Sequence, residues 1–176
     1  MNMNSRLLAL SLLFMVSLTL GCTQLGGTQT GVDSSLRADE QIEKPLAALR
    51  ENFERRNLAR FARGIHPDYR DSKSQLRNDL ANVYRVYSSI ELDIYGERVT
   101  RSDNTISVRA SWNLRWTCQG PSSQAPSSCR NPSDVGTTIL RKGETMFEFR
   151  RHKDEWLLVN QENARLFGSL APGTIQ

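Results

Sequence analysis

The stretch that decides the fold is ISVRASWNLRWT, residues 106–117. Apolar and polar side chains alternate along it, which is the period of a β-strand with one buried and one exposed face. The predicted buried set is Ile106, Val108, Ala110, Trp112, Leu114 and Trp116. A second alternating run covers residues 90–94, and Asp103-Asn104 supplies a tight turn between the two runs. An antiparallel hairpin is therefore the centre of the predicted fold.

The hydrophobic pattern also sets the register of this hairpin. Uninterrupted pairing outward from the turn would place Ile94 opposite Asn113, with apolar residues on opposite faces. One extra residue on the first strand, at Gly96 or Glu97, brings Ile94 opposite Trp112 instead. The shifted register also pairs Leu92 with Leu114, Ile90 with Trp116 and Glu91 with Arg115. We therefore predict a β-bulge at Gly96 or Glu97.

Helical periodicity precedes the hairpin, and further strands follow it. Spacings of i, i+4, i+7 and i+11 occur in two groups of apolar residues: Ile42, Leu46, Leu49, Phe53, and Leu76, Leu80, Val83, Tyr87. We expect Pro45 in the first turn of the first helix, Gly64 at the end of a short second helix over 58–63, and Ser72 or Ser74 capping the third. Residues 137–151 and 156–162 read as two more strands. The prediction is an α+β domain with N-terminal helices packed on a strongly bent antiparallel sheet of about four long strands.

The N-terminus reads as a secretory signal. Arg6 is followed by an apolar run over residues 7–20, which is short for a membrane span of roughly 20 residues. The stretch LTLGC, ending at Cys22, resembles the bacterial lipobox, in which the cysteine receives a lipid before cleavage. A transmembrane anchor and an ordinary signal peptide with a free cysteine are the alternatives. Thr23 stands where Gram-negative lipoproteins carry an inner-membrane retention aspartate, so the resemblance implies the outer membrane, facing the periplasm.

These features predict four segments. They are a lipoprotein signal peptide (1–21), a lipidated flexible tether rich in Gly, Thr and Gln (22–36), one folded domain (37–170) and a C-terminal tail (171–176). The charge of the chain is only +4, and exported location makes nucleic acid an unfavourable partner. Cys118 and Cys129 bracket a Ser/Pro-rich segment, and in an oxidising compartment we expect them to form a disulfide.

The order of elements, the turn His66-Pro67-Asp68-Tyr69 and the closing strand DEWLLV (154–159) together resemble the nuclear transport factor 2-like superfamily, over about residues 38–168. The resemblance implies a cone-shaped α+β fold with a pocket between the helices and the concave sheet. It also implies dimerisation through the outer face of the sheet in many members. Members include steroid isomerases, dehydratases and polyketide cyclases, and also binding domains without chemistry, so the fold does not choose the function.

The predicted strand faces argue against catalysis. The inward face reads Ile, Leu, Val, Ala, Trp and Phe, with no acid or base, while the charged residues of the strands point outward. His66 is the candidate base nearest the expected cavity, although a histidine in such a turn is more often structural. Asp68 and Asp71 are predicted to be turn and capping residues. The basic cluster is predicted to be a solvated helix face, with a surface for anionic lipid or cell-wall polymers as the alternative; its members are Arg55, Arg56, Arg60 and Arg63. The candidate pocket residues are His66, Tyr69, Tyr84, Tyr87, Trp112 and Trp116, although tyrosines at helical spacing are mostly core or rim and the two tryptophans are more simply explained as filling the cone.

No phosphate loop, nucleophile elbow or metal-ligand cluster occurs in the sequence, so we predict no cofactor and no metal. The predicted function is a membrane-anchored envelope lipoprotein whose domain binds an apolar small molecule or an envelope protein without chemistry, with a homodimer as a further expectation. The alternative is a small lyase or isomerase that uses His66 and a nearby carboxylate in the cone.

Overall fold

The computed structural model describes residues 32–120 and 125–175, with side chains for 40–120 and 125–173. Cys22 and the predicted signal peptide lie outside the described residues. Residues 35–176 make up one compact unit. Its helices are α1 (Val32–Glu54), α2 (Leu58–Arg63) and α3 (Lys73–Val86), and its strands are β1 (Tyr87–Ser102), β2 (Thr105–Cys118), β3 (Thr138–His152), β4 (Glu155–Asn163) and β5 (Thr174–Ile175).

The strands form one antiparallel sheet with the order β1-β2-β3-β4. The two-residue β5 pairs with β3 beyond the end of β4, at Arg141 and Lys142. Short 3₁₀ turns at Ser127–Cys129 and Pro132–Asp134 lie between β2 and β3. The predicted α+β class, with helices first and four long antiparallel strands after them, is confirmed.

The register of the β1–β2 hairpin confirms the predicted bulge. Ile94 pairs with Trp112 and Gly96 with Ala110, and pairing resumes at Arg98 opposite Arg109, which leaves Glu97 as the extra residue. The alternation of buried and exposed residues in β2 follows the sequence pattern along the strand. Burial of one face is sufficient to specify this register, because a slip of one residue would expose the whole apolar set.

Helix α1 departs from the sequence expectation at its N-terminal part. Pro45 lies inside the helix and not in its first turn, and the helix begins at Val32, within the predicted tether. Ile42, on the N-terminal side of the proline, is buried, so packing holds that part of the helix in place despite the lost backbone hydrogen bond. Extending an existing helix costs far less than nucleating one, so the residues before Ile42 need no core contacts to continue it.

Two glycine positions have tertiary explanations. Gly64 ends α2 as predicted, but its φ of −76° is not left-handed. A Cβ at Gly64 would lie 2.8 Å from Leu49 Cδ2, so the residue is small because α1 passes close to it. Gly143 of β3 faces Trp112 in the same way, since a Cβ there would lie 2.6 Å from Cζ2 of the indole.

Aromatic rings make up much of the core between the helices and the inner face of the sheet. Among the residues whose side chains are described, eight aromatic ones are at most 1% exposed: Phe53, Phe61, Tyr87, Trp112, Trp116, Phe147, Phe149 and Phe167. Phe167 comes from the segment after β4, and its ring meets those of Phe53 and Phe61 edge-on at 5.2 and 5.0 Å. The C-terminal segment therefore completes the core, and the predicted tail (171–176) includes the sheet strand β5. Among the described residues, none of the helices is long and apolar enough to cross a membrane.

Candidate functional site

His66 lies at the end of the sheet formed by the β3–β4 hairpin. Its backbone N–H donates to the Leu158 carbonyl, which ties the turn to β4. The side chain is 5% exposed, and its Nδ1 accepts the backbone N–H of Asp68 at 3.0 Å. The ring of His152 contacts it nearly perpendicularly, with centroids 5.3 Å apart. Nδ1 is therefore occupied as an acceptor, and the local turn fixes the tautomer with the proton on Nε2.

The electrostatics around His66 favour its neutral form. Burial lowers the pKa of His66 below its ordinary value of 6.5, and the charges of Arg150, His152 and Lys73 act in the same direction. Asp68 opposes them, but its carboxylate is exposed and lies 3.9 Å from Nδ1, beyond hydrogen-bond distance. The arrangement is that of a neutral, structural histidine.

Tyr69 joins the turn to the C-terminal segment. Its hydroxyl accepts a hydrogen bond from Gln161 Nε2 at 2.8 Å, and Gln161 Oε1 accepts the backbone N–H of Phe167 at 2.9 Å. Burial raises the pKa of Tyr69, and the hydrogen bond from Gln161 opposes that shift. This network positions Phe167 in the core, so the Tyr69 hydroxyl has a structural partner.

Trp112 has a similar structural role in the middle of the sheet. Its Nε1 donates to Thr145 Oγ1 at 2.9 Å, and the Thr145 hydroxyl donates in turn to the Ala164 carbonyl. Gly143 and Gly173 both leave room for the indole ring. The polar atom of Trp112 is thus satisfied inside the protein.

The other end of the sheet holds a group that the sequence analysis did not identify. Arg141 of β3 is 7% exposed and belongs to the inner face, so the prediction of an inner face without acid or base was wrong. Its Nε is buried without a hydrogen-bond partner, and so is Nε1 of Trp116. Tyr87 stacks on Trp116 at 4.0 Å with an interplanar angle of 5°, and its hydroxyl donates to the Leu170 carbonyl at 2.7 Å.

The register of β3 contained the signal for Arg141. Arg141 and Phe147 are six residues apart in the strand, so they share a face unless a bulge intervenes between them. Pairing with β2 is uninterrupted over that stretch, with Arg141 opposite Leu114 and Phe147 opposite Val108. Extending the alternation from Phe147 back toward the start of the strand would have placed Arg141 inside the domain.

The predicted pocket residues therefore do not share one pocket. His66 lies beside His152 at the end of β3, whereas Trp116 and Tyr87 lie near its start, where Trp116 pairs with Ile139. Those two ends of β3 are about 40 Å apart along the strand at 3.3 Å per residue. Tyr84 lies elsewhere again, with its ring 6.0 Å from Phe53 and its hydroxyl buried and unpartnered; burial raises its pKa.

The basic residues near the end of α1 have mostly structural contacts. Arg55 pairs with Glu51 at 2.8 Å, one helical turn away. Arg56 has a left-handed backbone with φ of 55°, and its guanidinium donates to the carbonyl of Tyr84 at the end of α3. Arg60 and Arg63 line an external cleft of about 490 Å³ between α1, α2 and the β3–β4 hairpin. This leaves Arg60 and Arg63 as the part of the cluster that faces a surface cleft.

The clefts of the described surface lie outside the aromatic core. One of about 540 Å³ lies between α1 and the inner face of the sheet, where Leu46, Ile94 and Val108 line it beside the bulge of β1. Another, of about 570 Å³, borders His152 and Lys73. None of the eight buried aromatic residues lines these clefts or the one beside Arg60. Among the described residues, no group of three or more His, Cys, Asp or Glu side chains could hold a metal ion.

A disulfide between Cys118 and Cys129 closes the loop at the Arg141 end of the sheet, with Cα atoms 5.4 Å apart. Cys118 is the last residue of β2 and pairs with Tyr87. The disulfide thus ties the loop after β2 to the strand ends that carry Tyr87 and Trp116.

No protein-family model matches this sequence, and no curated protein is similar to it at a significant level. Solved structures match it well. A conserved protein from Planctomyces limnophilus is 17% identical with a TM-score of 0.57, covering 72% of this chain and 95% of the other. A presumed dehydratase of the nuclear transport factor 2-like family from Streptomyces avermitilis is 17% identical with a TM-score of 0.56 and the same coverage. A nuclear transport factor 2-like superfamily protein from Salmonella enterica is 10% identical, with a TM-score of 0.57 and coverage of 72% and 89%.

The domain therefore has the nuclear transport factor 2-like fold, as the sequence resemblance implied. The low identities show the fold and carry no activity with them. The function has to be argued from the side chains of this chain.

Proposed function

We propose that this chain is an exported lipoprotein, anchored through Cys22, whose domain is a binding module without catalytic chemistry. The observation that carries the proposal is the position of His66, which lines none of the clefts described above, while eight buried aromatic side chains pack together in the interior.

The state of His66 supports a role without chemistry. A general base needs a free lone pair within hydrogen-bond reach of the proton it removes. Nδ1 of His66 already accepts the Asp68 N–H, and Nε2 carries the proton in that tautomer. Deprotonating a substrate would require breaking the turn that holds the ring.

The alternative of a lyase or isomerase retains two supporting observations. Asp68 lies 3.9 Å from His66, and a fold neighbour from Streptomyces avermitilis is named as a presumed dehydratase. Against it, the carboxylate of Asp68 is exposed and also 3.9 Å from Arg150, so it faces solvent and not an enclosed cavity. The binding module is therefore the better-supported function.

The proposed location is the outer membrane, with the domain in the periplasm. The sequence around Cys22 supports the lipid anchor, and a disulfide between Cys118 and Cys129 fits an oxidising compartment. The proposed partners are the membrane lipid through Cys22 and an envelope protein or small molecule bound by the domain. A homodimer through the outer sheet face, where Glu91 pairs with Arg115 at 2.8 Å, remains a prediction.

Native mass spectrometry of the full chain extracted from its own membrane tests the proposal. We expect a diacylglycerol-sized mass increase on wild type, its loss in Cys22→Ser, and the same bound partners in wild type and His66→Gln. Glutamine retains an acceptor for the Asp68 N–H, so the turn should survive the substitution. Unmodified Cys22 in wild type would contradict the anchor. Accumulation of an unconverted small molecule in His66→Gln, but not in wild type, would show that the protein is an enzyme.

A further inference from the structure

We propose that Arg141, Trp116 and Tyr87 form a site for a small organic carboxylate, closed over by the C-terminal segment 168–175. The proposal deepens the binding role proposed above by naming the chemistry of a ligand. It does not depend on the lipid anchor.

The first observation is a buried positive charge without a counter-ion. Arg141 is 7% exposed, its Nε is buried without a hydrogen-bond partner, and it takes part in none of the ion pairs of the described residues. The Nε of Arg165 is also buried without a partner, but the guanidinium of Arg165 pairs with Asp79 at 2.8 Å, whereas Arg141 has no such carboxylate. Burying a charge without a partner is costly, and an arginine cannot lose its proton to escape that cost. An anion is the species that would compensate it.

The second observation is a neighbouring donor that also lacks an acceptor. Trp116 Nε1 is buried and unpartnered. Arg141 pairs with Leu114 and Trp116 with Ile139, so Arg141 and Trp116 are diagonal neighbours on the inner face, roughly 7–8 Å apart at their Cα atoms. Acceptor atoms between these two residues would satisfy both donors, and a carboxylate offers two oxygens.

The third observation is the aromatic wall beside these donors. Tyr87 is stacked on Trp116 with ring centroids 4.0 Å apart. Burial raises the pKa of the Tyr87 hydroxyl, and the nearby charge of Arg141 opposes that shift. The ring pair presents an apolar surface next to the guanidinium. A ligand with an apolar or aromatic body attached to its carboxylate therefore fits better than an inorganic anion.

Segment 168–175 is joined to this site by one side-chain hydrogen bond and a two-residue strand pairing. The Leu170 carbonyl occupies the Tyr87 hydroxyl, and β5 joins β3 through only Thr174 and Ile175, opposite Lys142 and Arg141. Short terminal elements open at low free-energy cost relative to the core. Displacement of this segment would free the Tyr87 hydroxyl as a third donor.

Gly173 provides a way to open the site. Its φ is +66°, and a Cβ there would collide with the Lys142 carbonyl and with the ring of Trp112. Gly173→Ala should detach β5 without altering Arg141, Trp116 or Tyr87. The experiment is isothermal titration calorimetry of the full chain in detergent with benzoate, benzyl alcohol and inorganic phosphate, on wild type, Gly173→Ala, Arg141→Met and Lys142→Met.

We expect benzoate to bind Gly173→Ala about tenfold more tightly than wild type, because the segment no longer competes. Arg141→Met should lower benzoate affinity by about tenfold or more, since a charge-assisted hydrogen bond is lost. Lys142→Met, which removes an outward charge from the same strand, should bind as wild type does. Benzyl alcohol and phosphate should each bind at least about tenfold more weakly than benzoate, because benzyl alcohol lacks the carboxylate and phosphate lacks the aromatic ring.

Thermal unfolding without ligand separates this role from a structural one. Replacing an unpaired buried charge by an apolar side chain removes a desolvation penalty, so Arg141→Met should unfold at the same or a higher temperature than wild type. Equal benzoate binding by Arg141→Met and wild type overturns the proposal, and so does a lower unfolding temperature for Arg141→Met. Benzyl alcohol or phosphate binding as tightly as benzoate also overturns it. These results leave the lipid anchor and the absence of catalysis untouched, because those are tested by mass at Cys22 and by His66→Gln.

Discussion

The two ends of the sheet each hold a buried basic side chain, and they differ in whether that side chain is paired. At the hairpin end, burial favours the neutral form of His66, and its Nδ1 accepts the backbone N–H of Asp68 at 3.0 Å. At the disulfide end, Arg141 is permanently charged, and its Nε has no partner. A titratable residue can adapt to burial by losing its charge, whereas an arginine cannot. A structural role therefore accounts for the burial of His66, the residue that first suggests catalysis, better than it accounts for the burial of Arg141.

The largest expected effect is on the free energy of unfolding, at the point between the two ends of the sheet where Gly143 packs against Trp112. Gly143→Ala places a Cβ 2.6 Å from the Trp112 ring and should lower the free energy of unfolding by about 1–3 kcal/mol through overpacking. Gly96→Ala is the matched control, since its Cβ would lie at an ordinary 3.7 Å from Val108. Urea denaturation of both variants measures the difference. If Gly143→Ala is as stable as Gly96→Ala, the indole does not lie against β3 as described.

The second prediction compares the two buried indoles. Trp112→Phe loses the hydrogen bond to Thr145, while Trp116→Phe loses an N–H that has no acceptor. Both lose a similar volume, so Trp112→Phe should be more destabilising by about 1 kcal/mol, the net value of one hydrogen bond. Thermal or urea unfolding gives the comparison. Equal or greater destabilisation by Trp116→Phe would mean that its N–H is already satisfied within the chain.

The third prediction tests the hairpin end through pH, and its effect should be the smallest. The pKa of His66 is lower in the folded state than its ordinary value of 6.5, so the unfolded chain takes up the proton first as pH falls. The contribution of His66 to stability is therefore present above about pH 6.5 and is lost as pH drops below it. His66→Gln should unfold with a weaker dependence on pH between about 5 and 8. A wild-type and variant pair with parallel pH profiles would show that His66 is not held neutral.

The strand faces were predictable from sequence because side-chain direction in a strand is a local property. The alternation over 106–117 was sufficient to predict the bulge, and Glu97 is unpaired as expected. The helix stripes were also predictable, although Pro45 was placed in the wrong part of α1, because the packing of Ile42 outweighs the local preference of proline. The order of helices and strands was enough to suggest the fold.

The candidate site was less predictable. The six predicted pocket residues were grouped because they share the inward faces of helices and strands. Periodicity predicts which face a residue lies on, but not where along the sheet it lies. His66 and Trp116 lie near opposite ends of β3. Arg141 was overlooked although it shares its face with Phe147. Whether a buried side chain is paired depends on residues such as Leu170 and Thr145, which come from distant parts of the chain.

The sequence by itself determined which side of each strand is apolar, where the register shifts, and the signal-like N-terminus that supports the proposed anchor. Only the tertiary structure decided which aromatic rings pack together in the core, that the C-terminal segment adds Phe167 to it, and that Arg141 Nε has no hydrogen-bond partner among the described residues. The physical reason is that periodicity is set by neighbouring residues of one element. The pairing of a buried polar atom is set by whichever residues of other elements the fold brings beside it.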